Sequence, residues 1–289
     1  MKKWWIPVLA GVVVATILSR REKQRIVNRR WPVNFAHRGA SWHVPENTLE
    51  AFELGVETGA GGLEMDAHPT RDGEVVVIHD DTVDRTTDGS GLVREKTLEE
   101  LSRLDAGYRF SPDGASFPFR GKGVRISTLR EVYEEFPEAV VNVEIKEDLP
   151  GIEGRVLRVI EECGAEKRTL VASFSHAVMR RFRKVSGGRI PTAASRFEIS
   201  VFYFLSRACL EKLVPVEYEA LQVPVKHRGL EIVTPRFIRA AHSRGVRVDA
   251  WTINDEKEMR RLLDLGADVI MTDRPEALSR VLAEREPET

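Results

Sequence analysis

Cysteine is nearly missing from this chain of 289 residues: Cys163 and Cys209 are the two present, and they share no paired spacing. A disulfide framework and a cysteine-based zinc site are thereby excluded. Proline and glycine, 14 and 21 residues, are spread along the sequence without clustering, and 42% of the residues are hydrophobic. Disorder, a collagen-like repeat and a coiled coil do not fit such a composition. An excess of one charge is also lacking, with 44 Lys and Arg against 45 Asp and Glu. The balance hides an asymmetry, because residues 1–30 hold eight basic residues and one acid, Glu22, for +7. The other 259 residues then carry −8, a poor surface for a polyanion, so nucleic acid is not an expected partner.

A long membrane-crossing run is lacking too. Trp4 to Leu18 has 15 uncharged residues. As a helix it spans roughly 22 Å, short of the roughly 30 Å hydrocarbon core. That length suits a signal peptide, yet no small-x-small cleavage site follows, and the run passes straight into Arg20 and Arg21. Flanking cations can snorkel, and Trp4 and Trp5 suit the interface. We therefore expect residues 1–19 to be an uncleaved anchor and 20–30 a basic linker, with a cleaved signal and a secreted protein as the alternative. Six basic residues after the run against two before it keep the body on the cytoplasmic side by the positive-inside rule.

Beyond the linker, short apolar runs alternate with amphipathic stretches. Strands are expected at residues 33–36, 62–67, 75–78, 140–145, 169–173, 191–194, 220–223, 247–251 and 269–272, and helices at 48–57, 154–162, 235–243 and 256–265. This is the alternation of a parallel α/β sheet. The strand at 75–78 follows its predecessor after only a tight turn, so it is an antiparallel hairpin arm. Eight strands remain, and with about 250 residues they suit a (β/α)8 barrel over residues 31–283. Residues 81–126 break the alternation and read as an insertion on one face. Residues 284–289 form an acidic tail.

Strand periodicity places chemistry inside this barrel. Glu64 and Asp66 share one face of their strand while Leu63 and Met65 take the other; Asn142, Glu144 and Lys146 do likewise. Clustered inward carboxylates repel and lose hydration unless something offsets them, and a hard divalent cation does so. Solvated charges on edge strands are the plainer reading. His37 and His79 end their strands, where barrel active sites lie, and suit an acid–base pair. Arg38 and Lys146 supply positive charge for a phosphate. His43, His68, His176, His227 and His242 lack such company and read as structural or exposed.

An ordered set of motifs makes this specific. His37-Arg38-Gly39, Pro45-Glu46-Asn47-Thr48, Glu64-Met65-Asp66, Asp72-Gly73 with Val76-Val77-Ile78-His79-Asp80, Arg85-Thr86-Thr87-Asp88-Gly89, Asn142-Val143-Glu144-Ile145-Lys146, Trp251-Thr252-Ile253-Asn254 and Thr272-Asp273-Arg274-Pro275 together resemble the glycerophosphodiester phosphodiesterase family, over about residues 33–282. The resemblance implies a phosphatidylinositol phospholipase C-like (β/α)8 barrel that hydrolyses glycerophosphodiesters to glycerol 3-phosphate and an alcohol with a divalent cation, Mg²⁺ or Ca²⁺. By the same resemblance Glu64, Asp66 and Glu144 are cation ligands, and His37 and His79 the acid–base pair. Arg38 and Lys146 contact phosphate, Trp251 walls the substrate pocket, and residues 81–126 form a cap.

His68 and Asp249 stand where apolar or neutral residues are expected. Blander roles exist as well: Asn47 with Glu50 resembles a helix N-cap pair, Glu46 could serve the helix start or the site, Trp251 could be core, and Arg85 to Gly89 could only shape a loop. A lysophospholipase D-like enzyme drawing lysolipids from a membrane keeps the chemistry, with the apolar run Val201 to Leu205 either dipping into the interface or serving as a core helix. A non-catalytic membrane-bound module would lack an acid, base or ligand, and none is missing.

Overall fold

The structure, a computed structural model, describes residues 31–285. The expected anchor at 1–19, the basic linker at 20–30 and residues 286–289 of the tail lie outside the described residues. Among the described residues no helix is long and apolar enough to cross a membrane.

The strands in chain order are β1 (Asn34–His37), β2 (Gly62–Pro69), β3 (Val75–Val77), β4 (Val140–Ile145), β5 (Thr169–Ala172), β6 (Ala220–Pro224), β7 (Lys226–His227), β8 (Leu230–Glu231), β9 (Arg247–Trp251) and β10 (Val269–Thr272). Parallel pairing runs β5-β4-β2-β1-β10-β9-β6, and β3 lies antiparallel on β2 as a hairpin arm. The eighth strand expected at 191–194 is reduced to two parallel bridges, Val171 with Thr192 and Ala193 with Ala220. Those bridges join β5 to β6 and so connect the two ends of the curled sheet. Pro191 opens the segment and donates no ladder hydrogen bond, which fits its brevity.

The helices are α1 (Leu49–Glu57), α2 (Leu98–Ser102), α3 (Leu129–Glu135), α4 (Ile152–Glu162), α5 (His176–Ser186), α6 (Arg196–Arg207), α7 (Pro235–Ser243), α8 (Glu256–Leu265) and α9 (Pro275–Ala283). Several begin as their sequences dictate. Thr128 caps α3 and Ser195 caps α6, each in a reciprocal box with the Glu three residues on, and Pro235 and Pro275 open α7 and α9.

The strands are buried on both faces, and it is the chemistry of their side chains that follows the period of two. Outward-facing Leu63, Met65, Val141, Val143 and Ile145 join helix residues such as Phe52, Val156 and Phe182 in one apolar layer. A second layer covers β6, β9 and β10 with Phe202, Phe237, Met259 and Leu278. Inside the ring the floor is Phe35, whose ring atoms would lie 2.5 Å from a Cβ at position 62, so only glycine fits there. Above that floor the inward positions turn polar, with Gln222 donating to Asn142 across the barrel at 2.9 Å. The insertion carries its own small core, in which Val83, Val93, Leu101 and Ile126 pack on Val76 and Ile78.

Candidate active site

Sheet register brings the carboxylates together. Glu64 lies level with His37 on one side and Asn142 on the other, and Asp66 lies level with Glu144. One carboxylate oxygen from each of Glu64, Asp66 and Glu144 falls within 4.8 Å of the others. Burial and the charge of Asp66 hold the Glu64 carboxyl well above the usual carboxylate range. Burial raises Glu144 in the same way, with Lys146 opposing it and Asp66 adding to it. Asp66 goes the other way: burial would raise it, but Lys146, Arg38, His79 and a hydrogen bond from Asn47 outweigh burial. Hard oxygen donors whose charged forms repel one another are the donor set a divalent cation fits.

Two cations counter the three carboxylates. Lys146 Nζ lies 3.3 Å from Asp66 and 3.4 Å from Glu144. Arg38 Nε is 3.2 Å from Asp66, an ion pair without hydrogen-bond alignment, and its Nη1 donates to Glu46 at 3.0 Å. The chain turns sharply after β1 to deliver Arg38, which has φ +57°, while Gly39 has φ +82° and backs onto Ala51 so closely that a Cβ would lie 2.5 Å from it. Glu46 therefore holds the site as well as flanking the helix start.

His37 and His79 face the same cleft as Glu64, Glu144 and Lys146. His37 Nδ1 is 2.7 Å from Asp273, which also accepts from Ser41 and from Asn254 Nδ2. Burial would lower the His37 pKa, but the Asp273 hydrogen bond and the charges of Glu64 and Asp273 raise it on balance. His79 Nδ1 is 2.6 Å from Asp80, and here burial wins with help from Arg38 and Lys146, so the pKa falls. The two imidazoles are thus biased toward opposite protonation states, as an acid–base pair requires. Trp251 lines the cleft at the end of β9, and its ring centroid lies 5.9 Å from that of Phe174.

Four partners carry more than the sequence suggests. Asp273 belongs to the Thr272-Asp273-Arg274-Pro275 motif, but its partner is 236 positions away. Arg85 reaches from the insertion to donate to both oxygens of Glu46 at 2.9 and 2.7 Å and to Asp80 at 2.6 Å, so it does more than shape its loop. His68 is buried, within hydrogen-bond reach of Glu147 and of the carbonyl of His79. Asn47, whose blander role was a helix cap, has φ +58° and donates to Asp66 at 2.9 Å, while Thr48 caps α1. An N-cap residue takes β-region dihedrals, which Thr48 has at φ −117° and ψ 158° and which Asn47 lacks.

Asp249, the other departure, is buried and paired with Arg247 at 2.9 Å. His43, His176 and His242 pair with Glu276, Ser195 and Asp268 away from the carboxylates, as residues outside the chemistry should.

The chain as a whole is similar to known proteins. The Glycerophosphoryl diester phosphodiesterase family matches residues 37–277. The Glycerophosphodiester phosphodiesterase of Caldanaerobacter subterraneus subsp. tengcongensis is 38% identical over 250 residues, covering 84% of this chain and 94% of its own. Lysophospholipase D GDPD1 of Rattus norvegicus is 28% identical over 291 residues, covering 92% of this chain and 90% of its own. The solved structure of the Oleispira antarctica phosphodiesterase OLEI02445, in complex with the product sn-glycerol-3-phosphate, aligns with a TM-score of 0.68 at 26% identity, over 86% of this chain and 96% of that one. With its barrel, its clustered carboxylates and a match across most of its length, the chain belongs to the glycerophosphoryl diester phosphodiesterase family.

Proposed function

We propose that this chain hydrolyses glycerophosphodiesters to glycerol 3-phosphate and an alcohol, in the presence of Mg²⁺ or Ca²⁺. The observation that carries the reading is the meeting of three clustered carboxylates, Glu64 and Glu144 of them lining the cleft, with two histidines of opposite bias and two cations. Glu64, Asp66 and Glu144 would hold the cation. Once bound, it would supply Lewis-acid polarisation of a phosphoryl or hydroxyl oxygen.

The chain's own side chains do the rest. Arg38 and Lys146 orient the phosphate and offset its charge. One imidazole takes the proton of the attacking hydroxyl, and the other returns a proton to the departing alkoxide. Asp273 and Asp80 fix the ring orientation of each imidazole through its Nδ1. The attacking oxygen we assign is the substrate's own glycerol hydroxyl next to the phosphate, already held at short range; this first step releases the alcohol and leaves a five-membered cyclic glycerol phosphate, which water then opens to glycerol 3-phosphate with the two imidazoles exchanging roles. Trp251 forms part of the wall of the pocket.

A lysophospholipase D-like activity uses the same groups on a lipid. It is favoured by the exposed rings of Phe174 and Phe204 near the cleft, and a relative bears that name.

The test is hydrolysis of glycerophosphocholine by the full chain with and without chelator, beside His37→Ala and His79→Ala. EDTA should abolish turnover and either ion restore it, and each alanine variant should lose about 10²- to 10⁴-fold in kcat/KM. Full activity in excess EDTA, or near wild-type rates in both variants, would sink the reading. A deoxy analogue lacking the hydroxyl next to the phosphate should turn over far more slowly; equal rates would assign the attack to water.

A further inference from the structure

The motif Arg85-Thr86-Thr87-Asp88-Gly89 lies in the insertion, and the reaction described above assigns it no part. Its loop is nonetheless braced. Thr87 is buried, and its Oγ1 donates to the Val83 carbonyl at 2.8 Å and accepts from the Gly89 amide at 3.0 Å. Val83 belongs to the small core of the insertion, and Arg109 donates to the Thr87 carbonyl at 3.0 Å. Arg85 therefore leaves the insertion from a turn that is hydrogen-bonded within itself and anchored beneath.

Its guanidinium spans two carboxylates. Nη1 and Nη2 donate to the two oxygens of Glu46, and Nε donates to Asp80. Each carboxylate has a second partner in the site. Burial would raise the Asp80 carboxyl, but hydrogen bonds from Arg85 and His79 pull it down to about 2, so at neutral pH Asp80 is an acceptor and His79 Nδ1 carries the hydrogen between them. Glu46 Oε1, which takes Arg85 Nη2, also accepts from Arg38 Nη1 at 3.0 Å. Arg85 is thus one residue removed from an acid–base histidine on one side and from a phosphate contact on the other. It does not itself line the cleft.

An ion pair at the surface contributes little to stability, and Arg85 is half-exposed. What a planar fork supplies is direction, because its donors fix the angle between the carboxylates they hold. Without it Asp80 and Glu46 can turn, and the His79 ring and Arg38 turn with them.

We propose that Arg85 is a positioning residue for phosphodiester cleavage, fixing the His79 ring through Asp80 and Arg38 through Glu46. The inference rests on the phosphodiesterase reading above. It gives the insertion a part in setting the reacting geometry, beyond covering the cleft.

The test measures kcat and KM of the full chain on glycerophosphocholine, with Mg²⁺ or Ca²⁺, for the wild type, Arg85→Ala, Arg85→Lys, Asp80→Asn and the double variant Arg85→Ala with Asp80→Asn. Arg85→Ala should lower kcat about 10²-fold, the cost of a displacement of about 1 Å at a reacting group, while KM and thermal melting move far less. Arg85→Lys keeps the charge without the fork and should recover little. Dilute guanidinium chloride should restore part of the lost kcat in Arg85→Ala, where equal sodium chloride does not. Added to Asp80→Asn, Arg85→Ala should cost less than it does alone, because the two act in series. If the alanine variant does not fold, Arg85→Lys bears the same test of kcat. Wild-type kcat in the folded variants overturns the positioning role and leaves the phosphodiesterase standing. A loss that guanidinium leaves untouched and that adds fully to the loss from Asp80→Asn also overturns it. Absence of turnover by the wild type overturns the phosphodiesterase reading and this role with it.

Discussion

At the residue scale the site depends on side chains that aim other side chains. Asp273 is the clearest of these, since it accepts from Ser41 and Asn254 while holding His37 at 2.7 Å. Its charge helps raise the His37 pKa, so protonated His37 persists to higher pH and is lost as pH rises through that value. His79 has a lowered pKa, so its neutral form is lost as pH falls through that value. A bell-shaped profile of kcat/KM follows, with the acid limb below and the alkaline limb above the ordinary histidine value of about 6.5. Asp273→Asn should lower kcat/KM about 10²-fold or more and move the alkaline limb to lower pH. An unmoved limb in the pH–rate profile would remove Asp273 from the account. The sequence made His37, His79 and the carboxylates legible because each occupies a strand end or an inward alternate position. Asp273, Arg85 and Asn47 were not legible, because their partners are set by loops that bring distant segments together.

At the scale of elements, the chain starts its helices with recognisable signals, but one of them carries an added function. Ser195 and Glu198 form the box that opens α6, and Arg183 of α5 donates to both Glu198 oxygens at 2.6 and 3.1 Å. Burial would raise the Glu198 pKa, yet Arg183 and Ser195 hold it below the usual glutamate value. A carboxylate depressed by folding stabilises the protein above its unfolded pKa of about 4.3, and that contribution is lost as pH falls through the folded value. Glu198→Gln keeps a capping side chain and removes the charge, so it should cost about 2 kcal/mol in urea unfolding at pH 7 and much less at pH 3. An equal cost at both pH values would contradict the assignment. Most strands could be read from apolar alternation because each has one face against helices. The apolar run predicts a full strand at 191–194, and the segment pairs through two bridges only. The run Val201 to Leu205 proved to be helical with both a buried and an exposed side, which periodicity over five residues does not resolve.

At the scale of the whole molecule, a barrel with outward apolar layers and a polar mouth places the candidate groups at inward strand positions and on the segments that follow the strands. We further propose that Trp4 to Leu18 stays on the protein and holds the barrel at the cytoplasmic face of a membrane. The cations between Arg20 and Arg30 would add about 1 kcal/mol each at an anionic surface. On fractionation the protein should stay with membranes in high salt, because screening releases a purely electrostatic contact but not an inserted helix. A soluble secreted form beginning beyond Ser19 would reverse this placement. The barrel and its carboxylates were legible because alternation and register are local rules, whereas the cavity beside Phe174 arises only when α6 and the β7–β8 hairpin come together. The central claim is the bond that is cut and the cation dependence of cutting it. The most direct measurement follows glycerophosphocholine by phosphorus NMR with the full chain in Mg²⁺ or Ca²⁺, then after EDTA. The account predicts that the glycerol 3-phosphate resonance grows and that EDTA stops it. Phosphocholine as the product, or undiminished turnover in EDTA, would contradict it.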